Sequence, residues 1–215
     1  MEIAVIGATG FVGSKIVNEL ADRGHKVTGI SRNTKTSDNP KVHYISADVT
    51  NVDNLTEILK GNDAVISAFN AGWKNPNLYN DFLAGAKAIQ EAVKRAGISR
   101  FIVIGGAGSL YATKDVQIVD TPDFPKEIFP GASAARDYFN ILKEEKELDW
   151  AFFSPAIEMN PEITTGRTAK YRLGTDTPVF NEEKRSVLSV EDLAVVIADE
   201  IEDQKHHQQQ FTAGY

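Results

Sequence analysis

The 215-residue chain contains no cysteine, so disulfides, thiolate metal sites and a cysteine nucleophile are excluded. It also lacks a basic excess. Its 23 Lys and Arg against 30 Asp and Glu leave a formal net charge of -7, which argues against a nucleic-acid partner, because neutralising phosphates needs a basic face. No apolar run reaches membrane-spanning length, and because the first strand-like run starts at Glu2, no signal peptide is expected. A soluble, cytoplasmic protein with no membrane partner is the expectation. Repeats and low-complexity linkers are absent too, so residues 1–215 are expected to form one domain. The adjacent His206 and His207 have no carboxylate at metal-ligand spacing, and no metal site is expected.

What is present starts at the N-terminus. Glu2-Ile-Ala-Val-Ile6 is a short apolar run suited to a buried strand. Gly7-Ala-Thr-Gly-Phe-Val-Gly13 follows, then an amphipathic helix from Ser14 to Arg23 with Ile16, Val17 and Leu20 on one face. Gly24 ends the helix and Lys26 to Ile30 reads as a second strand. A strand, a glycine turn and a helix in this order form half of a dinucleotide-binding unit. Pyrophosphate needs unpaired N–H groups and the positive end of a helix dipole. Gly7 permits the turn, Gly10 the approach of the ligand, and Gly13 close packing of helix on strand, with Thr9, Phe11 and Val12 completing the cradle. At the tip of the second strand stand Ser31 and Arg32, and no acidic residue occurs between Gly24 and Thr36. An Asp or Glu there would hold a ribose 2′-hydroxyl, whereas Arg suits a 2′-phosphate, so NADPH is expected in preference to NADH.

Further strands are expected at Val42–Ile45, Asp63–Ser67, Phe101–Ile104 and Trp150–Ser154, and a last one at Phe211–Tyr215. Helices are expected over 52–60, 77–96, 132–148 and 189–203, the last opened by the capping box Ser189-Val-Glu-Asp192. This alternation predicts an α/β, Rossmann-type, doubly wound parallel sheet. Ligands of such sheets lie beyond the strands' carboxyl ends. That edge collects the glycine turn, Arg32, Asp48 and Val49 (flanking an adenine), Ala68, Phe69 and Asn70, and Gly105–Ser109. The loop from Asp115 to Pro130 is expected to cover the site. A small C-terminal substrate lobe is expected from about residues 155–190, including an irregular strand or hairpin over 168–179. Glu144–Glu147 reads as a solvated helix face.

The glycine turn resembles the opening of the atypical and extended short-chain dehydrogenase/reductases, including the NmrA-like group. Leu148-Asp-Trp-Ala-Phe-Phe-Ser-Pro-Ala156, Gly166-Arg-Thr-Ala-Lys-Tyr-Arg-Leu-Gly174 and Ser189-Val-Glu-Asp-Leu-Ala194 are similar to segments of that superfamily's NAD(P)H-flavin reductases and, more distantly, biliverdin-IXβ/flavin reductase. The resemblance implies a catalytic role for Ser109 after the fifth strand, and a backbone passage along the nicotinamide at Pro155, Ala156 and Ile157. Phe69, Trp73, Tyr111 and Phe153 are candidates for an acceptor wall.

One departure counts. These enzymes usually pair Tyr with Lys four residues on. Here Tyr138 is followed at that spacing by Leu142, with Lys143 one position too far, and Tyr111 by Asp115. Residues i and i+4 share a helix face; i+5 does not. Reduction of a flavin or quinone needs no such pair, since the oxidised ring accepts hydride directly. The expected activity is therefore NADPH-dependent reduction of a planar acceptor, with flavin as substrate rather than resident cofactor. Two alternatives stay open: an NmrA-like redox sensor that binds NADP(H) without turnover, and a sugar-nucleotide epimerase or dehydratase. Arg167, Lys170 and Arg172 suit an anionic substrate or a flavin phosphate, or equally the charged face of a hairpin. A monomer or homodimer is expected.

Overall fold

The structure, a computed structural model, describes residues 1–33 and 35–215. The chain runs β1 (Glu2–Ile6), α1 (Phe11–Asp22), β2 (Lys26–Ser31), β3 (Val42–Ser46), α2 (Val52–Leu59), β4 (Ala64–Ser67), α3 (Leu78–Arg95) and β5 (Arg100–Ile104). A hairpin of β6 (Tyr111–Thr113) and β7 (Val116–Gln117) follows, then α4 (Phe129–Leu142), β8 (Asp149–Ser154), β9 (Arg172–Gly174), α5 (Val190–Asp203) and β10 (Gln209–Gly214). The main sheet has the order β3-β2-β1-β4-β5-β8-β10-β9, and all its pairs are parallel except β10 with β9. Winding proceeds outward in one direction from β1 and in the other from β4, so the reversal lies between them. This is the expected Rossmann-type sheet, lengthened by the antiparallel β9.

Period-two alternation distributes the apolar side chains to the two faces. Ile3 and Val5 join α1 and α5 in one core, with Ile66, Ile102, Phe153 and Phe211. Ala4 and Ile6 join α2, α3 and α4 in the other, with Val65, Phe101, Trp150 and Phe152. Ile16, Val17 and Leu20 are fully buried, as their helical spacing predicts. Both faces are covered, which explains why the strands read as continuous apolar runs.

Several expectations shift. The fourth helix starts at Phe129 and ends at Leu142, so Glu145 does not lie on a solvated helix face; it is buried. Its carboxylate accepts from the Glu147 N–H at 2.6 Å and Gln90 Nε2 at 2.9 Å, and pairs with Lys94 at 3.2 Å. Ser189 caps α5 by accepting from the Asp192 N–H at 3.1 Å, but Asp192 does not return the bond. Its buried carboxylate instead accepts from the Thr168 N–H, the Ala169 N–H and the Tyr215 hydroxyl, each at 2.8 Å. His206 and His207 each meet one carboxylate, Glu200 at 2.6 Å and Asp149 at 2.8 Å.

Glu145 has a consequence for acid stability. Burial raises its pKa, but the hydrogen bonds from Glu147 and Gln90 and the Lys94 ammonium outweigh that and carry it down to about 2. A depressed carboxylate stabilises the fold fully above its unfolded value of 4.5, and the contribution is lost as pH falls toward about 2. Glu145→Gln should remove on the order of 3 kcal/mol at neutral pH and flatten the decline between about pH 5 and 2. Urea denaturation across that range checks it; parallel wild-type and variant curves would count against it.

Candidate functional site

Two cavities open along the carboxyl ends of the central strands. The first, of about 400 Å³, crosses the ends of β1, β2, β3 and β4. Gly7, Thr9, Gly10, Ser31, Arg32, Asp48, Val49, Ala68, Phe69 and Asn70 all line it, so ten of the residues singled out for cofactor binding come together there. Asn33, Thr50, Asn75 and Asp81 line it too, and nothing in their local sequence marks them.

The glycine turn has the build of an anion cradle. Gly7 has φ +81°, and its N–H donates to the Ile30 carbonyl at 2.9 Å, which fixes the turn against β2. A Cβ at Gly7 would lie 2.3 Å from the Ala68 carbonyl oxygen, and one at Gly13 would lie 2.2 Å from the Gly7 carbonyl oxygen. Gly10 differs: its nearest neighbour would be the Gly7 oxygen at 3.3 Å. It faces the space in which a ligand would lie. Among the described residues, the N–H groups of Phe11, Val12 and Gly13 find no backbone or side-chain acceptor, and the first turn of α1 carries no acidic residue. Phe11 and Val12 therefore belong to the cradle through their amides. Their side chains do not line the cavity: Phe11 is exposed and Val12 packs on the core.

At the far end, Ser31 Oγ donates to the Asn33 carbonyl at 2.6 Å, and Ser46 Oγ to the Arg32 carbonyl at 2.7 Å, setting the backbone from which the Arg32 side chain extends. Arg32 forms no ion pair among the described residues. Asp48 accepts from the Thr50 N–H at 2.9 Å and its hydroxyl at 2.8 Å. These two bonds, with a smaller contribution from the Arg32 charge, hold the carboxyl below its usual range. The result is a rigid turn that presents Val49.

The second cavity, of about 480 Å³, continues beyond the ends of β4, β5 and β8. Its floor is the backbone of Gly105–Gly108, and Pro155, Ala156 and Ile157 form one side. Ile118, Thr121, Phe124, Pro125 and Ile128 form a cover, the expected role of that loop. Trp73 stands at the rim, 61% exposed, against Gly131 of α4, where a Cβ would meet its ring at 2.7 Å. Phe69 and Asn70 line both cavities, which therefore adjoin at these two residues. Gly85 permits this, since a Cβ there would strike the Phe69 ring at 2.5 Å. Asn70 is held by the Gly72 N–H at 2.7 Å.

The structure does not bring three singled-out residues to either cavity. Ser109 is 1% exposed; its hydroxyl donates to the Gly106 carbonyl at 2.8 Å and shares a 2.8 Å bond with Ser154, while Gln210 donates to Ser154. Phe153 points to the α1/α5 face and packs on Phe211, ring centroids 5.0 Å apart. Tyr111 lies in the β6–β7 hairpin, its N–H donating to the Asp176 carbonyl at 2.7 Å. Tyr138 is buried in α4 and donates to Gln90 at 3.1 Å, its burial pushing the phenol pKa upward. Lys143 lies over the Phe139 ring, 5.0 Å from its centroid. Among the described residues, no Tyr–Lys pair faces either cavity. What faces the second cavity is mainly apolar surface and backbone, with Asn70, Thr121 and Asp123 as its polar side chains, an arrangement suited to binding a ring.

Comparison with known proteins agrees with this geometry. YwnB of Bacillus subtilis, itself uncharacterized, is 35% identical over 99% of this chain and 97% of its own length. A solved structure from Bacteroides thetaiotaomicron, provisionally named an epimerase, is 42% identical with a TM-score of 0.91, covering 100% of this chain and 96% of that one. A Streptococcus pneumoniae protein with the provisional name NADH-flavin reductase is 35% identical with a TM-score of 0.87, covering 100% and 99%. Residues 7–204 match the NAD(P)H-binding family, and the match takes in the glycine cradle, the Arg32 tip and both cavities. The chain belongs to this NAD(P)H-binding, oxidoreductase-type family of extended short-chain dehydrogenase/reductase likeness.

Proposed function

We propose that the protein is an NADPH-dependent reductase acting on a planar organic acceptor such as a free flavin or a quinone. The observation that carries this reading is that the two cavities adjoin at Phe69 and Asn70. A dinucleotide held by the cradle would extend its nicotinamide to that junction, beside an apolar space for a second ring. When bound, NADPH supplies two electrons and a proton as hydride from C4, and the acceptor takes its second proton from water, giving NADP+ and the reduced ring. The cradle amides and Arg32 hold the dinucleotide's anionic groups, and the Asp48 turn flanks its adenine. Phe69, Trp73, Phe124 and Ile157 hold the acceptor and exclude water, so the contribution of this chain is positioning.

The lack of a Tyr–Lys pair at the cavity supports an acceptor that needs no side-chain acid, and counts against epimerisation. The name carried by the Streptococcus pneumoniae neighbour supports the reductase reading, although that name specifies NADH. Arg32 favours the phosphorylated cofactor.

Initial rates of cofactor oxidation with riboflavin and a simple quinone test this. NADPH should be consumed in an acceptor-dependent manner and faster than NADH. Arg32→Ala should weaken NADPH by ~1–3 kcal/mol, about 5- to 150-fold, and NADH far less. Equal losses for both cofactors would remove the 2′-phosphate assignment. Tight NADPH binding with no acceptor-dependent rate would replace the reductase with a sensor.

A further inference from the structure

The two cavities differ in the donors they offer an anion. The first has the Arg32 guanidinium and the unpaired amides of the cradle beside the carboxylates of Asp48 and Asp81. Among the residues lining the second there is no Lys, Arg or His, and its one charged side chain is Asp123. Three arginines elsewhere are already engaged. Arg136, on the helix that forms one wall, is held by Asp120 at 2.5 Å and Asp137 at 2.6 Å. Arg167 pairs with Glu19 at 2.8 Å on the opposite face of the sheet, and Arg172 donates to the Phe180 carbonyl at 2.6 Å. Lys74 and Lys126 neighbour the rim in sequence but do not line the cavity.

A phosphate brought to such a place gives up hydration with no cation to replace it, and meets the Asp123 carboxylate. An uncharged ring incurs neither penalty and gains apolar contact with the rim and cover. We infer that the acceptor of the second cavity is an uncharged planar ring, and that the site selects against phosphorylated acceptors, taking riboflavin in preference to FMN. This rests on the reductase reading of the site and specifies the class of its acceptor.

Riboflavin and FMN share one ring system and differ by the phosphate, so they isolate the effect. Protein saturated with NADP+ is titrated with each, following flavin fluorescence, at low salt and at about 0.5 M salt. Riboflavin should bind about ten-fold more tightly than FMN at low salt, and the gap should narrow at high salt as repulsion is screened. Asp123→Asn should strengthen FMN binding about three-fold relative to riboflavin. FMN binding as tightly as riboflavin, or Asp123→Asn moving both flavins alike, overturns the inference. NADPH oxidation with the same flavins separates the two levels of failure. Turnover with FMN equal to or better than riboflavin would overturn only the charge selection. No binding of either flavin and no turnover with the flavins or a simple quinone, with NADPH binding intact, would overturn the reductase reading and this inference together.

Discussion

Gly106→Leu should lower acceptor-dependent kcat/KM roughly 100-fold, about 2.7 kcal/mol, while leaving NADPH affinity within about three-fold. Gly106 lines the second cavity and not the first. Its φ of -137° and ψ of 154° suit any residue, and a Cβ built on it meets no atom within 4 Å. The new side chain would therefore enter space that the fold leaves open, without displacing a neighbour. Stability should stay level or rise by about 0.4–1 kcal/mol, because replacing glycine restricts the unfolded chain. The neighbouring Gly105 shows the contrast: a Cβ there would lie 2.1 Å from the Phe152 ring, so its replacement damages the core first. Steady-state rates, cofactor titration and thermal unfolding of Gly106→Leu read the three effects separately. Full acceptor turnover would mean that the ring does not lie over the glycine floor.

The second large effect is at Gly13. Gly13→Ala should cost about 1–3 kcal/mol of folding stability and weaken NADPH by more than about 100-fold. The cause is geometric: the added Cβ would lie 2.2 Å from the Gly7 carbonyl oxygen and 2.8 Å from its carbon, and neither is the end of a flexible side chain. Helix α1 must move away from the turn, which takes the amides of Phe11, Val12 and Gly13 out of the cradle. Gly10→Ala supplies the control. Its Cβ comes no closer than 3.3 Å to any neighbour and its φ of -76° is ordinary, so the fold should persist while the methyl group obstructs the ligand. Chemical denaturation and calorimetric titration of both variants make the comparison. A Gly13→Ala protein with wild-type stability would contradict the packing role of this glycine.

Much of the architecture is legible in local pattern. The runs at Glu2–Ile6, Asp63–Ser67 and Phe101–Ile104 become the central strands β1, β4 and β5, and the first-cavity residues follow from their positions at strand ends. Failures occurred where side-chain direction mattered. Phe153 and Ser154 are adjacent on β8, and a strand buried on both faces gives no sign of which residue faces which helix layer. Phe153 went to the α1/α5 core, while Ser154 captured the Ser109 hydroxyl. Tyr111 was drawn into a hairpin too short for any periodic signal. Phe124, Ile128 and Met159 reach the second cavity from segments outside the helices and strands, and Ile118 from a single 3-10 turn, too short for spacing to carry information on facing.

The sequence by itself determined the βαβ cradle, the positive tip at Arg32, the parallel sheet and the exclusion of thiol chemistry. These rest on interactions among near neighbours: glycine conformations, helix periodicity, strand alternation and the residue types present. The tertiary structure alone decided that Phe69 and Asn70 line two adjoining cavities, that Ile118, Phe124 and Ile128 are the apolar side chains the covering loop turns to the second, that Ser109 turns inward, and that Asp123 is the charged side chain among the described residues lining that space. The physical reason is that parallel crossovers bring strand ends far apart in the chain to one edge. Which side chains meet there depends on packing between the helix layers and the sheet, information distributed over the whole chain.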